Sequence, residues 1–301
     1  MDKIIIHEVG PRDGLQVEKE TVPTETKIEW ISELMKTGID IIQIGSFVNP
    51  KRMPQMADTD ELFAHFSKPG NKPENVTLAG LVLNEKGLER GLSCGVEMFC
   101  MGVSASNTHS QKNTGMTTEE ATVRIIEMAK SALSSGKNVQ VSVQSAFGCG
   151  YEGKIPEERV IGIIEKYLEN GIKNISLADT AGHANPLQVK NLYNKIFEID
   201  KSINAAAHFH NTYGMGMANC FAAFESSVKY FESSFAGLGG CPFTAVASGN
   251  VCTEDFVNML SLFGLRTDIN IDAICKVSKK ASEFFKRELP GFIHRTGKIP
   301  Q

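Results

Sequence analysis

The feature that most constrains this chain is a regular alternation of short apolar segments with longer amphipathic ones. Eight short runs have the composition of strands, and several are apolar throughout, as expected for strands buried on both faces. They are residues 3–8, 40–45, 76–82, 96–103, 139–144, 172–177, 203–209 and 230–236. In a chain of 301 residues, eight β-then-α units predict an α/β fold of the TIM (β/α)8 barrel type.

Amphipathic segments lie between several of these runs and predict helices. The segment 24–37 ends before Gly38, and the segment 117–135 begins with a Thr-Thr-Glu-Glu capping signal. The other predicted helices are residues 156–170, 186–197, 213–228, 250–263 and 271–287. We therefore expect a single barrel domain over residues 1–301, with residues 264–301 as a C-terminal helical extension. A doubly wound open sheet is disfavoured, because no G-x-G-x-x-G follows the first predicted strand.

Charge and cysteine content exclude several classes of protein. Thirty-one basic and 35 acidic residues give a formal net charge of −4, which argues against nucleic-acid binding. No apolar run is long enough to cross a bilayer, and the N-terminus carries no targeting pattern. Seven cysteines without a C-x-x-C pair fit a reduced protein better than a disulfide scaffold. We expect a cytoplasmic enzyme with no nucleic-acid or membrane partner.

Polar residues collect where the predicted strands end, which is where TIM barrels carry out their chemistry. His208 and His210 are two residues apart on the seventh strand, so their side chains project to the same side. Two imidazoles there suit a divalent metal, the alternative being two locally hydrogen-bonded histidines. Asp13 follows the first strand, and Asn250 offers an amide oxygen. This set of ligands favours Mg²⁺ or Mn²⁺ over structural zinc.

Other candidates lie in the same loops, each with two interpretations. Arg12 is either part of an exposed ion pair or a cation directed at developing negative charge; its position favours the second. Cys241 lies in the glycine-rich segment 237–242 (GLGGCP) and is either a packed apolar residue or an accessible thiol that acts as acid or base. Asp179 and Thr180 follow the sixth strand and either contact a substrate or support a turn.

Together these clusters resemble those of the hydroxymethylglutaryl-CoA lyases, which are metal-dependent TIM-barrel enzymes. The segment 8–16 (EVGPRDGLQ) is similar to the family's opening signature, which homocitrate and isopropylmalate synthases share. The segment 237–242 is similar to the loop of the catalytic cysteine and is more specific to the lyases. Segments 46–56 and 247–255 also match, and the resemblance extends from residue 4 to about residue 260.

The resemblance implies a retro-Claisen cleavage of 3-hydroxy-3-methylglutaryl-CoA to acetoacetate and acetyl-CoA, or of a close analogue such as citramalyl-CoA. It implies that Arg12 stabilises the enolate of the departing acetyl-CoA and that Cys241 helps to protonate it. Asp13 or His208 would remove the hydroxyl proton. The implied metal ligands are Asp13, His208, His210 and Asn250. The expected substrate-binding residues are Gln16, Gln43, Asp179, Thr180 and Lys19, and Lys112 and Asn113 are candidates for the CoA adenine site.

Two positions depart from the family pattern. Gln43 replaces a glutamate, and Asn211 replaces the usual aspartate, so both changes remove negative charge. They lead to the hypothesis that the enzyme prefers a different 3-hydroxyacyl-CoA. The alternatives are an acyltransferase that condenses acetyl-CoA with a 2-oxo acid, and a CoA-binding protein with impaired catalysis. A homodimer is the default expectation for its assembly.

Overall fold

The structure is a computed structural model that describes residues 3–240 and 249–299. Within these ranges, eight parallel strands close into a barrel in which the first strand pairs with both the second and the eighth. The strands are β1 (Ile5–Glu8), β2 (Ile41–Ser46), β3 (Thr77–Leu81), β4 (Met98–Ser104), β5 (Asn138–Gln144), β6 (Asn174–Asp179), β7 (Asn204–Phe209) and β8 (Tyr230–Ser233). The predicted TIM barrel is confirmed.

Helices surround the barrel and include every segment predicted from the sequence. They are α1 (Thr24–Leu34), α2 (Thr59–Phe66), α3 (Glu85–Ser93), α4 (Asn107–Thr114), α5 (Thr118–Ser134), α6 (Glu157–Glu169), α7 (Pro186–Ile199), α8 (Gly216–Glu225), α9 (Thr253–Leu262), α10 (Ile271–Phe285) and α11 (Ile293–Thr296).

The prediction did not identify four short helices, α2, α3, α4 and, within the C-terminal extension, α11, and it began α8 and α9 three residues too early. Helices of eight or nine residues show too few turns for a clear periodicity. Helix α3 also contains Gly87 and Gly91, which are poor helix formers, and α4 is polar throughout. The helix predicted from residue 250 begins at Thr253 instead, because Asn250 forms a bridge with His210.

The two faces of the strands bury different side chains. Ile6 and Phe231 belong to the large core between the barrel and the helices. A smaller cluster, formed by Ile41, Ala79, Met98 and Cys100, lies apart from it, on the inner face of the strands. Polar side chains are also buried along the strands, and they belong to the site described below.

The C-terminal helices support the loops at one side of the barrel. Helix α10 packs against α1 and against the turn Phe235–Gly237 that follows β8. The ring of Trp30 on α1 makes edge contacts with Phe235 at 6.0 Å and with Phe284 at 5.8 Å. These contacts anchor the segment that leads from β8 toward the active end of the barrel.

No helix in the described ranges is long and apolar enough to cross a membrane.

Candidate active site

The carboxyl ends of the strands surround a cavity of about 440 Å³. Its wall brings together residues from loops that are distant in the sequence, together with apolar side chains such as Val48 and Met53. The sequence-predicted residues that line it are Arg12, Asp13, Gln16, Gln43, Lys112, Asn113, Thr180, His208 and His210.

The loop after β1 positions the first of these residues. It forms a single π-helical turn, Gly10–Gly14, held by the carboxyl group of Glu8. One oxygen of Glu8 accepts hydrogen bonds from the backbone N–H groups of Gly10 (2.6 Å) and Phe235 (3.0 Å), and the other accepts from the hydroxyl of Thr253 (2.6 Å). A Cβ at position 10 would lie 2.5 Å from the Phe235 ring, so only glycine fits. Glu8 therefore ties the ends of β1 and β8 to the start of α9.

The acidic and basic residues of this turn are bound to each other. Arg12 donates from Nη1 to Asp13 and from Nε to the amide oxygen of Gln43. Gln16 donates to the same oxygen of Asp13 at 2.8 Å. Burial alone would raise the pKa of Asp13, but Arg12, His208 and a hydrogen bond from Asn250 hold it well below its usual range. Asp13 is thus an ionised carboxylate in a confined site.

The two histidines of β7 converge on this carboxylate. Their Nε2 atoms are 3.2 Å apart, and Nε2 of His208 lies 4.0 Å from Oδ2 of Asp13. One ligand atom from each of Asp13, His208 and His210 lies within 4.8 Å of the others, a spacing that a single metal ion can satisfy. Burial, with the charge of His208, lowers the pKa of His210 to about 4, so its ring is neutral at pH 7 and has a lone pair for a metal.

Asn250, which follows Asp13 by 237 residues in the sequence, lies beside the same carboxylate. Backbone hydrogen bonds join the end of β7 to residues 249–251 and hold Asn250 beside His210. Its Nδ2 donates to Oδ2 of Asp13 at 2.8 Å and to the carbonyl of Leu238 at 3.2 Å. Its Oδ1 is buried and has no hydrogen-bond partner among the described residues. A buried, unsatisfied oxygen beside a carboxylate and two imidazoles fits a divalent cation.

Glu232 on β8 is a functional candidate that the sequence reasoning missed. It is buried, and one oxygen lies 2.9 Å from Nδ1 of His208. The other oxygen accepts from the hydroxyl of Ser176 (2.6 Å) and the amide of Gln140 (3.0 Å). Burial alone would raise the pKa of Glu232, but His208 holds it at about 2. The available signal was a charged residue inside an otherwise apolar and small-residue strand, 230–236 (YFESSFA).

Asp179 and Thr180, which are adjacent in the sequence, lie in different surroundings. Asp179 is fully buried, and its oxygens accept the backbone N–H groups of His183 (2.8 Å) and Ala184 (3.1 Å). It does not line the cavity, so its contacts support the turn interpretation rather than substrate contact. Thr180 does line the cavity, and its hydroxyl accepts the N–H of Ser145 at 3.0 Å.

Helix α4 and the loop after β5 form part of the cavity rim. The ammonium of Lys112 lies 4.0 Å from the centroid of the Tyr151 ring, and the His109 ring stacks on the same ring at 6.4 Å. Asn113 lines the cavity next to them. This rim offers a cation, an amide and an aromatic surface to a ligand that enters the cavity.

One further predicted residue is absent from the cavity wall, and another is not among the residues that the structure describes. Lys19 is exposed and is not part of the cavity wall, although Val17, two residues before it, is. Cys241 falls outside the described residues, and the residue before it, Gly240, lines the cavity.

Comparisons with known proteins agree with this site. The HMGL-like family model matches residues 3–280. A hydroxymethylglutaryl-CoA lyase of Bacillus subtilis is 37% identical, over 96% of this chain and 95% of the relative. An (R)-citramalyl-CoA lyase of Chloroflexus aurantiacus is 33% identical, over 99% of this chain and 96% of the relative.

A solved structure extends the agreement to three dimensions. The HMG-CoA lyase of Acinetobacter baumannii, in complex with coenzyme A and 3-methylmalate, superposes with a TM-score of 0.91 at 36% identity. The match covers 99% of this chain and 98% of that one. The closed barrel, the family match and the near-complete coverage of these relatives lead to one conclusion: the chain belongs to the HMGL-like family and is a lyase of the HMG-CoA lyase type.

Proposed function

We propose that this lyase cleaves a 3-hydroxyacyl-CoA by a retro-Claisen reaction that depends on Mg²⁺ or Mn²⁺. The observation that carries the proposal is the convergence of Asp13, His208 and His210 at a cavity that Arg12 also lines. The first candidate substrate is 3-hydroxy-3-methylglutaryl-CoA. Citramalyl-CoA is the second, because one relative is a citramalyl-CoA lyase and Gln43 departs from the glutamate of the resemblance.

Asp13, His208, His210 and Asn250 would hold the divalent cation. A cation held there would supply Lewis-acid chemistry, which would make the hydroxyl proton of the substrate easier to remove. Asp13 and His208 both line the cavity, and we assign the removal of this proton to Asp13, because Nε2 of His208 would be bound to the cation. The carbinol carbon becomes a ketone as its bond to C2 of the acyl-CoA breaks, and the bonding electrons form the enolate.

Arg12 would stabilise the enolate oxygen of the acyl-CoA. Its guanidinium is already oriented by Asp13 and Gln43, so it needs little rearrangement when the negative charge develops. A proton then returns to C2 to give acetyl-CoA, and we assign this step to Cys241 because it matches the loop cysteine of the lyases. The reaction consumes no oxidant or reductant.

The rim of the cavity is the proposed entrance for coenzyme A. Lys112 offers a cation for a phosphate, and Tyr151 offers an aromatic face. Asn113 adds hydrogen-bonding capacity. Lys19 is exposed and follows Val17, which lines the cavity, by two residues, so we assign it a contact with the outer part of the coenzyme A moiety.

The direct test is to incubate the protein with each acyl-CoA and Mg²⁺ or Mn²⁺ and to measure the products. We expect acetoacetate and acetyl-CoA from 3-hydroxy-3-methylglutaryl-CoA, or pyruvate and acetyl-CoA from citramalyl-CoA. Arg12→Ala is the matched inactive control. Failure to cleave either compound, by folded protein that binds the metal, would contradict the proposal. Release of free CoA from acetyl-CoA and a 2-oxo acid would identify the condensing alternative instead.

A further inference from the structure

We propose that Glu232 is a positioning residue that selects the tautomer of His208 required for metal binding. The inference rests on the proposed metal role of His208. Residues His208 and Glu232 are direct partners in the register of β7 and β8, and each is less than a tenth exposed. Oε2 of Glu232 lies 2.9 Å from Nδ1 of His208. A histidine that binds a metal is neutral and carries one ring hydrogen, and a carboxylate oxygen that faces Nδ1 accepts a hydrogen bond from it and so holds that hydrogen on Nδ1.

The consequence lies on the other side of the ring. With the hydrogen on Nδ1, Nε2 keeps its lone pair, and this is the atom that faces His210 and Asp13. The opposite tautomer would direct an N–H group at the proposed ion. A carboxylate behind a metal-binding histidine has this orienting effect in many proteins, and its removal typically lowers metal affinity 10–100-fold.

The carboxylate of Glu232 is itself held in place from two further strands. Its Oε1 accepts from the hydroxyl of Ser176 on β6 at 2.6 Å and from the amide of Gln140 on β5 at 3.0 Å. Because both groups donate to the same oxygen, the second oxygen is left for His208. This arrangement predicts what an amide at position 232 would do.

In the variant Glu232→Gln, the two donors Ser176 and Gln140 still require an acceptor. They would bind the amide oxygen and leave the amide NH₂ group facing Nδ1 of His208. Nδ1 would then have to accept, so the hydrogen would move to Nε2. We expect this nearly isosteric change to invert the tautomer of His208 rather than merely loosen it.

The test uses two measurements on the full-length protein. The first is the nitrogen-15 NMR spectrum of the His208 ring without metal, at a pH at which the ring is neutral. The second is the affinity for Mn²⁺ by titration calorimetry. We expect wild type to carry the hydrogen on Nδ1, and Glu232→Gln to carry it on Nε2 and to bind Mn²⁺ about 10–100-fold more weakly. Ser176→Ala is the matched control: it removes a bond to Oε1 but keeps the bond to His208, so the tautomer stays on Nδ1.

Several results would overturn the proposal. A wild-type ring with its hydrogen on Nε2 would do so even if the variant failed to fold. So would a variant with unchanged tautomer, or one with unchanged Mn²⁺ affinity. Failure of the proposed function is a separate outcome: wild type would then bind no Mn²⁺ or cleave neither acyl-CoA, while the metal-free NMR comparison would still decide what Glu232 does to His208.

Discussion

The amide oxygen of Gln43 accepts a hydrogen bond from Nε of Arg12, while the same guanidinium donates from Nη1 to Asp13. Gln43 therefore orients Arg12 without neutralising it. The resemblance led us to expect a glutamate at this position, which would add a negative charge. The positive charge of Arg12 is therefore offset by one negative charge fewer than the resemblance implies. This difference lies beside the proposed enolate site.

Gln43→Glu tests whether this neutral partner determines substrate preference. The added carboxylate would pair with Arg12, and we expect the ratio of kcat/KM for 3-hydroxy-3-methylglutaryl-CoA over citramalyl-CoA to rise about tenfold, which equals about 1.4 kcal/mol. Steady-state kinetics with both substrates measures it. Gln43→Met removes the acceptor without adding charge and so separates the two effects. If Gln43→Glu alters neither the rate nor the ratio, the hypothesis is wrong.

Metal removal should abolish the activity reversibly. We expect dialysis against a chelator to eliminate turnover and either Mg²⁺ or Mn²⁺ to restore it, because Asp13, His208 and His210 form a compact ligand set. His210→Ala should weaken Mn²⁺ binding by more than about tenfold, as measured by calorimetry. His65→Ala, on α2 and away from the cavity, controls for the loss of a histidine. Full activity in the chelated protein would contradict a metal-dependent reaction.

Arg12→Lys keeps the positive charge but removes the planar guanidinium, which donates to Asp13 and to Gln43 at the same time. We expect kcat to fall about 10²–10³-fold, because the cation loses its fixed orientation toward the developing enolate. Mn²⁺ affinity, measured separately, should change much less than kcat. Arg90→Lys is the control, since Arg90 pairs with Asp60 away from the cavity. An unchanged kcat would exclude Arg12 from the chemical step.

Glu8 predicts a specific dependence of stability on pH. Burial, opposed by three hydrogen bonds, raises its pKa from 4.5 to about 8 in the folded protein. Between these values the folded state binds a proton that the unfolded chain has released. Glu8 therefore makes the free energy of unfolding decrease as pH rises through this window, by up to about 1.4 kcal/mol per pH unit.

Glu8→Gln removes this contribution, since an amide does not ionise. Urea denaturation of both proteins across the window from about 4.5 to about 8 measures the difference. The difference in the free energy of unfolding, variant minus wild type, should increase as pH rises through this window. Above the window the difference should stay constant. Parallel pH profiles would show that the folded protein does not hold Glu8 protonated.

Local sequence patterns were sufficient for the strands and for part of the site. Each strand is a short run of apolar or β-branched residues, and its inward and outward faces follow from alternation alone. The convergence of His208 and His210 followed in the same way, because two residues on one strand share a face. Helices α2, α3 and α4 lacked such a signal, since short, polar or glycine-containing segments show little periodicity.

The alternation of strands and helices, read from the sequence alone, determined that this chain folds as a TIM barrel with its polar residues at one end. Only the tertiary structure decided which of those residues meet. The hydrogen bond from Asn250 to Asp13 joins positions 237 residues apart, and Glu232 meets His208 because β7 and β8 pair in one register. The same packing turned Asp179 toward backbone N–H groups and away from the cavity. Local periodicity specifies the direction of a side chain within its own element, but contacts between elements depend on how the barrel closes, and no single segment encodes that closure.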